Sequence, residues 1–359
     1  MQKRNLYHSI QNIWKKNEKG YHPLELFLRA VSPLYALSVG LRNCLYDKEF
    51  FAQKTLPCKV ISVGNIVVGG TGKTPMVIYL ANLLQEKGFR PAVLSRGYMG
   101  KSKLPINIVS DGRRLFMKPE DCGDEPVLIS QATKGIPVLT GPKRFLTGQV
   151  ALEKFGVDVL ILDDGFQHRQ LARDVDIVLL KAEAPFGNGS LLPAGPLRES
   201  SRALKRAGII FYVGDDHQGH SESESVFQVF HKGDVLLNGA SGQEYPLDHL
   251  RGRRICAFAG IASPERFQKT LTDAGAEIAF FVSFPDHHFY TREEIRNIQK
   301  RAAEEKVEMI ITTEKDGVKL KPFHMFLEKI HLLRVSMVFV SEEEKFVSSL
   351  LERLKDSHK

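Results

Sequence analysis

The stretch GNIVVGGTGKTP, residues 64–75, constrains this chain more than any other. It follows KVISVGN, which reads as a strand, and runs into TPMVIYLANLLQEKG, whose apolar spacing is helical. A strand, a glycine-rich turn and a helix start form the layout that holds a phosphate. Main-chain N–H groups and the positive end of the helix dipole converge on the anion there. The strict pattern G-x-x-x-x-G-K-[ST] asks for glycine at position 67, where this chain has Val67. Gly69, Gly70, Thr71 and Gly72 still make a turn poor in side chains, so the loop Val67-Val68-Gly69-Gly70-Thr71-Gly72-Lys73-Thr74 is expected to bind nucleotide. Lys73 is expected to reach the β- and γ-phosphates and Thr74 to place its hydroxyl on Mg2+. Pro75 suits the first helical turn, where its missing N–H has no partner to lose.

Such a loop also needs a carboxylate at the end of a neighbouring strand. VDVLILDDGFQH supplies Asp163 and Asp164, and a carboxylate there can hold Mg2+ directly or through water. The alternative is that one of the two merely caps the next turn. Elsewhere PAVLSRG, IPVLT, DVDIVLL and AGIIFYVG read as strands alternating with helices. After RGRR the alternation resumes with ICAFAGI, AEIAFFVSF, VEMIITT and LLRVSMVFV, with helices expected from Ser263 and Thr291. The expectation is an α/β fold: a P-loop NTPase-like parallel sheet domain, then a second, smaller α/β domain. VFQVFHKGDVLLNG reads as a hairpin turning at Lys232-Gly233-Asp234, the natural hinge, and the polar GDDHQGHSESES (214–225) as a surface linker. The boundaries expected are 1–47 for an N-terminal segment, 48–213 for the phosphate-loop domain, 214–250 for linker and hinge, and 251–359 for the smaller domain.

Composition narrows the partners. With 359 residues, 43% hydrophobic and 26% charged, the chain is globular, and its formal charge of +8 calls for an anionic partner. No basic, aromatic-studded sheet motif or helix-turn-helix pattern appears, which sets nucleic acid aside. The four cysteines are scattered, arguing against a zinc site or a disulfide framework, and the polar first twenty residues hold no signal-peptide core, so the chain is expected to stay in the cytoplasm. Residues 22–47 are the most lipid-like part, yet Glu25, Arg29 and Pro33 interrupt them. A helix there places Glu25, Arg29, Ser32 and Asn43 on one side and apolar residues over most of the rest. So broad an apolar face must be buried in protein or in lipid, either as a helix packed on its own domain or as an interfacial membrane helix.

The motifs GNIVVGGTGKTP, LSRGY (94–98), GDEP (123–126), DDGFQH (163–168), GNG…LLPAGPLRE (187–199), PDHH (285–288) and TTEKD (312–316) occur in this order. Together they resemble the tetraacyldisaccharide 4'-kinases, the lipid A 4'-kinases of Gram-negative bacteria, over nearly the whole chain. That resemblance implies transfer of the γ-phosphate of ATP, with Mg2+, to the 4'-hydroxyl of a tetraacylated glucosamine disaccharide 1-phosphate, giving lipid IVA. It places the chain at the cytoplasmic face of the inner membrane, among inner-membrane lipids and with no obligatory protein partner. It implies Asp124 as the general base and His287 as its partner, with His288 the less favoured neighbour. It also implies Gln167, His168 and Arg198 around the phosphates, and Asp163, Asp164 and Glu199 around the metal. From the residues alone, Asp124 and Glu125 would instead cap the helix opened by Pro126, and the histidines could be metal ligands. Glu314 and Lys315 fit a surface loop as well as a role with the nucleotide. Closure of the second domain on ATP, excluding water from the γ-phosphate, is the mechanism expected. A membrane-recruited switch ATPase is the competing class; it explains the loop and the apolar helix but not PDHH.

Overall fold

The computed structural model describes Trp14 and residues 23–214 and 225–356. Most of the expected linker and most of the polar N-terminal stretch lie outside the described residues. In chain order the main elements are α1 (Pro23–Asp47), β1 (Lys59–Gly64), α2 (Lys73–Glu86), β2 (Pro91–Ser95), β3 (Asn107–Ser110), α3 (Asp124–Ala132), β4 (Val138–Thr140), α4 (Arg144–Phe155), β5 (Val159–Asp163), β6 (Val175–Lys181), β7 (Ile209–Val213) and β8 (Val226–Asn238). There follow β9 (Glu244–Pro246), β10 (Arg254–Ala259), α5 (Pro264–Asp273), β11 (Glu277–Ser283), α6 (Arg292–Glu304), β12 (Met309–Thr313), β13 (Ile330–Phe339) and α7 (Glu343–Asp356). Each strand and helix start expected from the alternation is present. Thr291 caps α6 in a reciprocal box with Glu294.

The chain divides into two compact units, each discontinuous in sequence. Unit one comprises Met1–Arg96, Lys143–Phe230 and Phe339–Lys359; unit two comprises Gly97–Pro142 and His231–Val338. The contiguous blocks expected from the sequence therefore divide otherwise: 97–142 goes with the later unit, and the C-terminal helix returns to the first. Aromatic packing accounts for that return. Phe346 of α7 is fully buried, its ring centroid 5.0 Å from Phe211 on β7 and 5.4 Å from Phe227 on β8.

In unit one, β1 lies parallel between β5 and β6, β5 pairs parallel with β2, and β6 with β7. These strands are buried almost throughout, as apolar runs covered on both faces must be. The carboxyl ends of β1 and β5 deliver the glycine loop and Asp163-Asp164 side by side, at the sheet edge where ligands of such folds bind. Helix α1 buries Leu28 and docks through three side-chain hydrogen bonds. Ser32 Oγ donates to Leu191 O, Tyr35 Oη to Arg198 O, and Asn43 Nδ2 to Glu199 Oε2. Leu26, Phe27, Leu34, Leu37 and Leu41 are left exposed. Among the described residues it is the one helix long and apolar enough to cross a membrane by length and composition.

In unit two, β11, β10, β12 and β13 pair parallel in that order, with α5 and α6 contributing Phe267, Leu271, Ile295 and Ile298 to its cores. The hairpin turn expected at Lys232-Gly233-Asp234 is absent: β8 runs unbroken from Val226 to Asn238. Gly233 is buried, and a Cβ there would meet Thr270 Cγ2 of α5 at 2.7 Å, so this glycine serves close packing rather than a turn. The reversal comes one step later, where Asn238 N donates to Gln243 O and the Asn238 side chain accepts from Ala240 N and Ser241 N. β9 then pairs antiparallel with β8.

Candidate active site

Unit one carries the glycine loop. Gly64 ends β1 because a Cβ there would lie 2.5 Å from the Phe166 Cβ, and Phe166 of DDGFQH is wholly buried beneath the loop. Gly69 (φ 118°) and Gly72 (φ 82°) adopt backbone that disfavours any side chain, and α2 starts at Lys73 directly after them. Asn65 Nδ2 donates to Thr71 Oγ1 at 3.0 Å, bracing the turn.

Two members of the expected phosphate loop act otherwise. Val67 is buried among Ile66, Phe166, Val178 and Leu197 and makes an antiparallel bridge to Leu197. Val68 N donates to Pro196 O, and Arg198 N donates to Ile66 O. Val67 is thus not a lost glycine. Its side chain anchors the loop to LLPAGPLRE, its neighbour's amide is committed to that segment, and the turn poor in side chains begins at Gly69.

The acidic residues separate by partner. Asp164 (φ 52°) lies 3.4 Å from Lys73 Nζ and accepts from Arg198 Nη1 at 2.9 Å. Burial alone would raise its carboxyl, but Lys73 and Arg198 outweigh that and hold it below the usual range. Arg198 also donates to Gln167 Oε1, while Gln167 Nε2 donates to Asn65 O, tying DDGFQH to the loop. Asp163, buried, accepts from Ser95 Oγ at 3.1 Å. His168 is pushed down to about 4 by burial and by the guanidinium groups of Arg144, Arg173 and Arg96, so it is neutral at pH 7.

Glu199 lies at the docking point of α1, with cations on both sides. Asn43 Nδ2 and Arg206 Nη2 both donate to its Oε2, and Arg42 lies 3.6 Å from Oε1, so two guanidinium groups neutralise it where α1 docks. Among the described residues no group of three or more His, Cys, Asp or Glu is placed to hold a metal. The donors by the loop, the Thr74 hydroxyl and the Asp163 and Asp164 carboxylates, still suit a hard cation that takes one or two carboxylates along with phosphate oxygens.

Unit two brings Asp124 and His287 together. Asp124, 3% exposed, opens α3 after the N-cap Gly123, and its carboxylate accepts from Glu125 N at 3.0 Å, so it also meets a first-turn amide of that helix. It faces His287, whose Nδ1 lies 2.8 Å and 3.0 Å from the two carboxylate oxygens. Burial would raise the Asp124 carboxyl; the His287 hydrogen bond and the ammonium groups of Lys315 and Lys319 override it and hold it at about 2. An ionised carboxylate only accepts, so Nδ1–H donates. Burial lowers His287, but the bond to Asp124 raises it above its ordinary value on balance. His287 sits at φ 59°, an uncommon backbone for a non-glycine residue and one that clusters at functional sites.

His288 is turned away. It stacks on Phe284 at 4.7 Å and pairs with Glu294 at the start of α6, a packing role with no part in a histidine metal site. TTEKD is not a surface loop. Lys315 Nζ reaches Glu125 at 3.2 Å and Asp286 at 3.3 Å, Glu314 accepts from Arg334, and Asp316 is fully buried. Arg144 and Lys319 escaped the sequence reading, and Asp316 entered it only as the last residue of TTEKD. Only the i,i+3 spacing of Asp316 and Lys319 could have flagged a pair.

The model of the family described as Tetraacyldisaccharide-1-P 4'-kinase matches residues 24–355. The tetraacyldisaccharide 4'-kinase of Syntrophus aciditrophicus is 47% identical, covering 98% of this chain and 100% of its own. That of Geobacter metallireducens is 43% identical over 82% of this chain and 88% of its own. Among solved structures, LpxK from Aquifex aeolicus in complex with ATP aligns with a TM-score of 0.78 and 37% identity, covering 92% of this chain and 99% of that one.

Proposed function

This chain belongs to the tetraacyldisaccharide-1-P 4'-kinase family, and on that premise we propose how its residues divide the work of phosphoryl transfer. The reaction moves the γ-phosphate of ATP to the 4'-hydroxyl of tetraacyldisaccharide 1-phosphate, forming lipid IVA in lipid A biosynthesis. The amides from Gly69 to Thr74 grip the triphosphate, and Lys73 exchanges its contact with Asp164 for the β- and γ-phosphates. Arg198, held by Asp164 and Gln167, adds a second cation. Thr74, Asp163 and Asp164 would hold Mg2+, whose charge would offset that of the transferring group. Gln167 and His168 shape the loop from behind.

Asp124 takes the proton of the attacking sugar hydroxyl. A carboxylate held at about 2 is a weak base by itself. His287, whose proton affinity is raised, donates to that carboxylate and stabilises it as the proton arrives. The observation that carries this assignment is the 2.8 Å contact between two residues 163 positions apart, at a carboxylate with almost no access to water. The exposed apolar face of α1 rests on the cytoplasmic leaflet of the inner membrane, where the acceptor's acyl chains are anchored, and the net positive charge favours anionic headgroups.

Asp124→Ala is the test. Turnover on ATP and the glycolipid acceptor should fall by about 10²-fold or more while ATP still binds. Near-normal turnover in a folded variant removes Asp124 as the base.

A further inference from the structure

The TTEKD segment closes a ring of contacts around the acid–histidine pair. Lys319 is fully buried, its Nζ 2.8 Å from Asp316 Oδ1 and 3.7 Å from Asp124 Oδ2. Asp316 is fixed in turn: its Oδ2 accepts from Gly260 N at 3.0 Å and from Thr313 Oγ1 at 2.8 Å. Gly260 O accepts from His287 N at 3.2 Å, and the His287 ring returns to Asp124. Both members of the pair are therefore held from one side chain couple, Asp124 through Lys319 and the His287 backbone through Asp316 and Gly260.

We propose that Lys319 is a positioning residue for the phosphoryl transfer: its buried ammonium bridges Asp316 to Asp124, fixing the orientation and charge of the carboxylate that faces His287. This rests on the roles assigned above to Asp124 and His287. A buried ammonium is costly unless paired, and both carboxylates within 4 Å of this one lead to the pair. Neutralising Asp316 alone would not require it to lie against Asp124. The pair is also faced by Lys315, Glu125 and Asp286, by Cys122 and Tyr98, and by Tyr290, whose ring lies 5.8 Å from Lys319 Nζ.

Two substitutions of opposite electrostatic sign test the bridge, with kcat/KM followed against pH on ATP and detergent-dispersed glycolipid. Lys319→Met removes a cation 3.7 Å from Asp124, so the pair binds protons more tightly. Its acid limb should move up by about one pH unit or more, with kcat down about tenfold or more and the ATP KM within about twofold. Asp316→Asn removes the compensating anion and should move the limb down. Lys319→Arg keeps the charge and should keep the limb near that of the unsubstituted protein. Acid limbs unmoved in every variant that folds would overturn the proposal, whatever their kcat. Should Lys319→Met fail to fold, the downward shift in Asp316→Asn and the retained limb in Lys319→Arg decide alone. Asp124→Ala in the same assay separates the two readings: active, it sinks the base assignment; inactive beside unmoved Lys319 and Asp316 limbs, it sinks only the bridge.

Discussion

Replacing Leu34 and Leu37 of α1 together by glutamine should release the protein from anionic membranes without loosening its fold. The two side chains are 68% and 70% exposed, so their packing within unit one is slight. Burying a whole leucine side chain is worth about 2 kcal/mol, and about 70% of that remains to be gained in lipid, or ~1.4 kcal/mol each. The pair then accounts for ~3 kcal/mol, which is on the order of a hundredfold in partitioning. Glutamine is a good helix former, so the helix should persist. Sedimentation with vesicles of mixed neutral and anionic phospholipid reads the partition coefficient, and a thermal melt reads the fold. Turnover on acceptor embedded in vesicles should drop with the partition coefficient, while turnover on detergent-dispersed acceptor should not. Undiminished vesicle binding would refute the assignment of this face to lipid. A large fall in melting temperature would refute it differently, by showing that the leucines pack against protein.

Val67→Gly restores the strict phosphate-loop pattern, yet it should destabilise the protein by about 2–3 kcal/mol in urea denaturation, because it empties a buried site and frees the backbone. ATP affinity should not improve; a gain would mean that Val67 obstructs the loop. Imidazole NMR should find His168 neutral down to about pH 4, since burial and three guanidinium groups depress it, and His287 titrating above the ordinary histidine value. The sign for stability follows. The contribution of His168 is complete above its unfolded value near 6.5 and is lost as pH falls towards 4. A His168 midpoint near 6.5 would contradict the burial described here.

The local geometry around the glycine turn was legible from residue order. A strand, Gly69–Gly72, then Lys73-Thr74 predicts a turn poor in side chains at a helix start, and the structure has that turn, with Gly69 and Gly72 at positive φ and α2 opening at Lys73. Asp163 and Asp164 follow from an apolar strand ending in carboxylates. Gly233 misled for a specific reason: glycine both permits turns and permits close approach, and no local pattern distinguishes the two. Its buried position against Thr270 does. For Glu199, residue order shows a carboxylate next to a phosphate motif but not that Arg42 and Arg206 lie against it.

Periodicity and loop chemistry act between neighbours in the chain, so the sequence by itself determined the strands, the helix starts, the glycine turn and the apolar stripe of α1. What only the tertiary structure decided lies between residues far apart. It turned Leu28, Ser32, Tyr35 and Asn43 of α1 inward and Leu26, Leu34, Leu37 and Leu41 outward, set Val67 against Leu197, and closed Asp124, Lys319, Asp316, Gly260 and His287 into one ring. Burial and most of the charge pairing arise when segments distant in the sequence meet, and those two forces set the surroundings of each carboxylate.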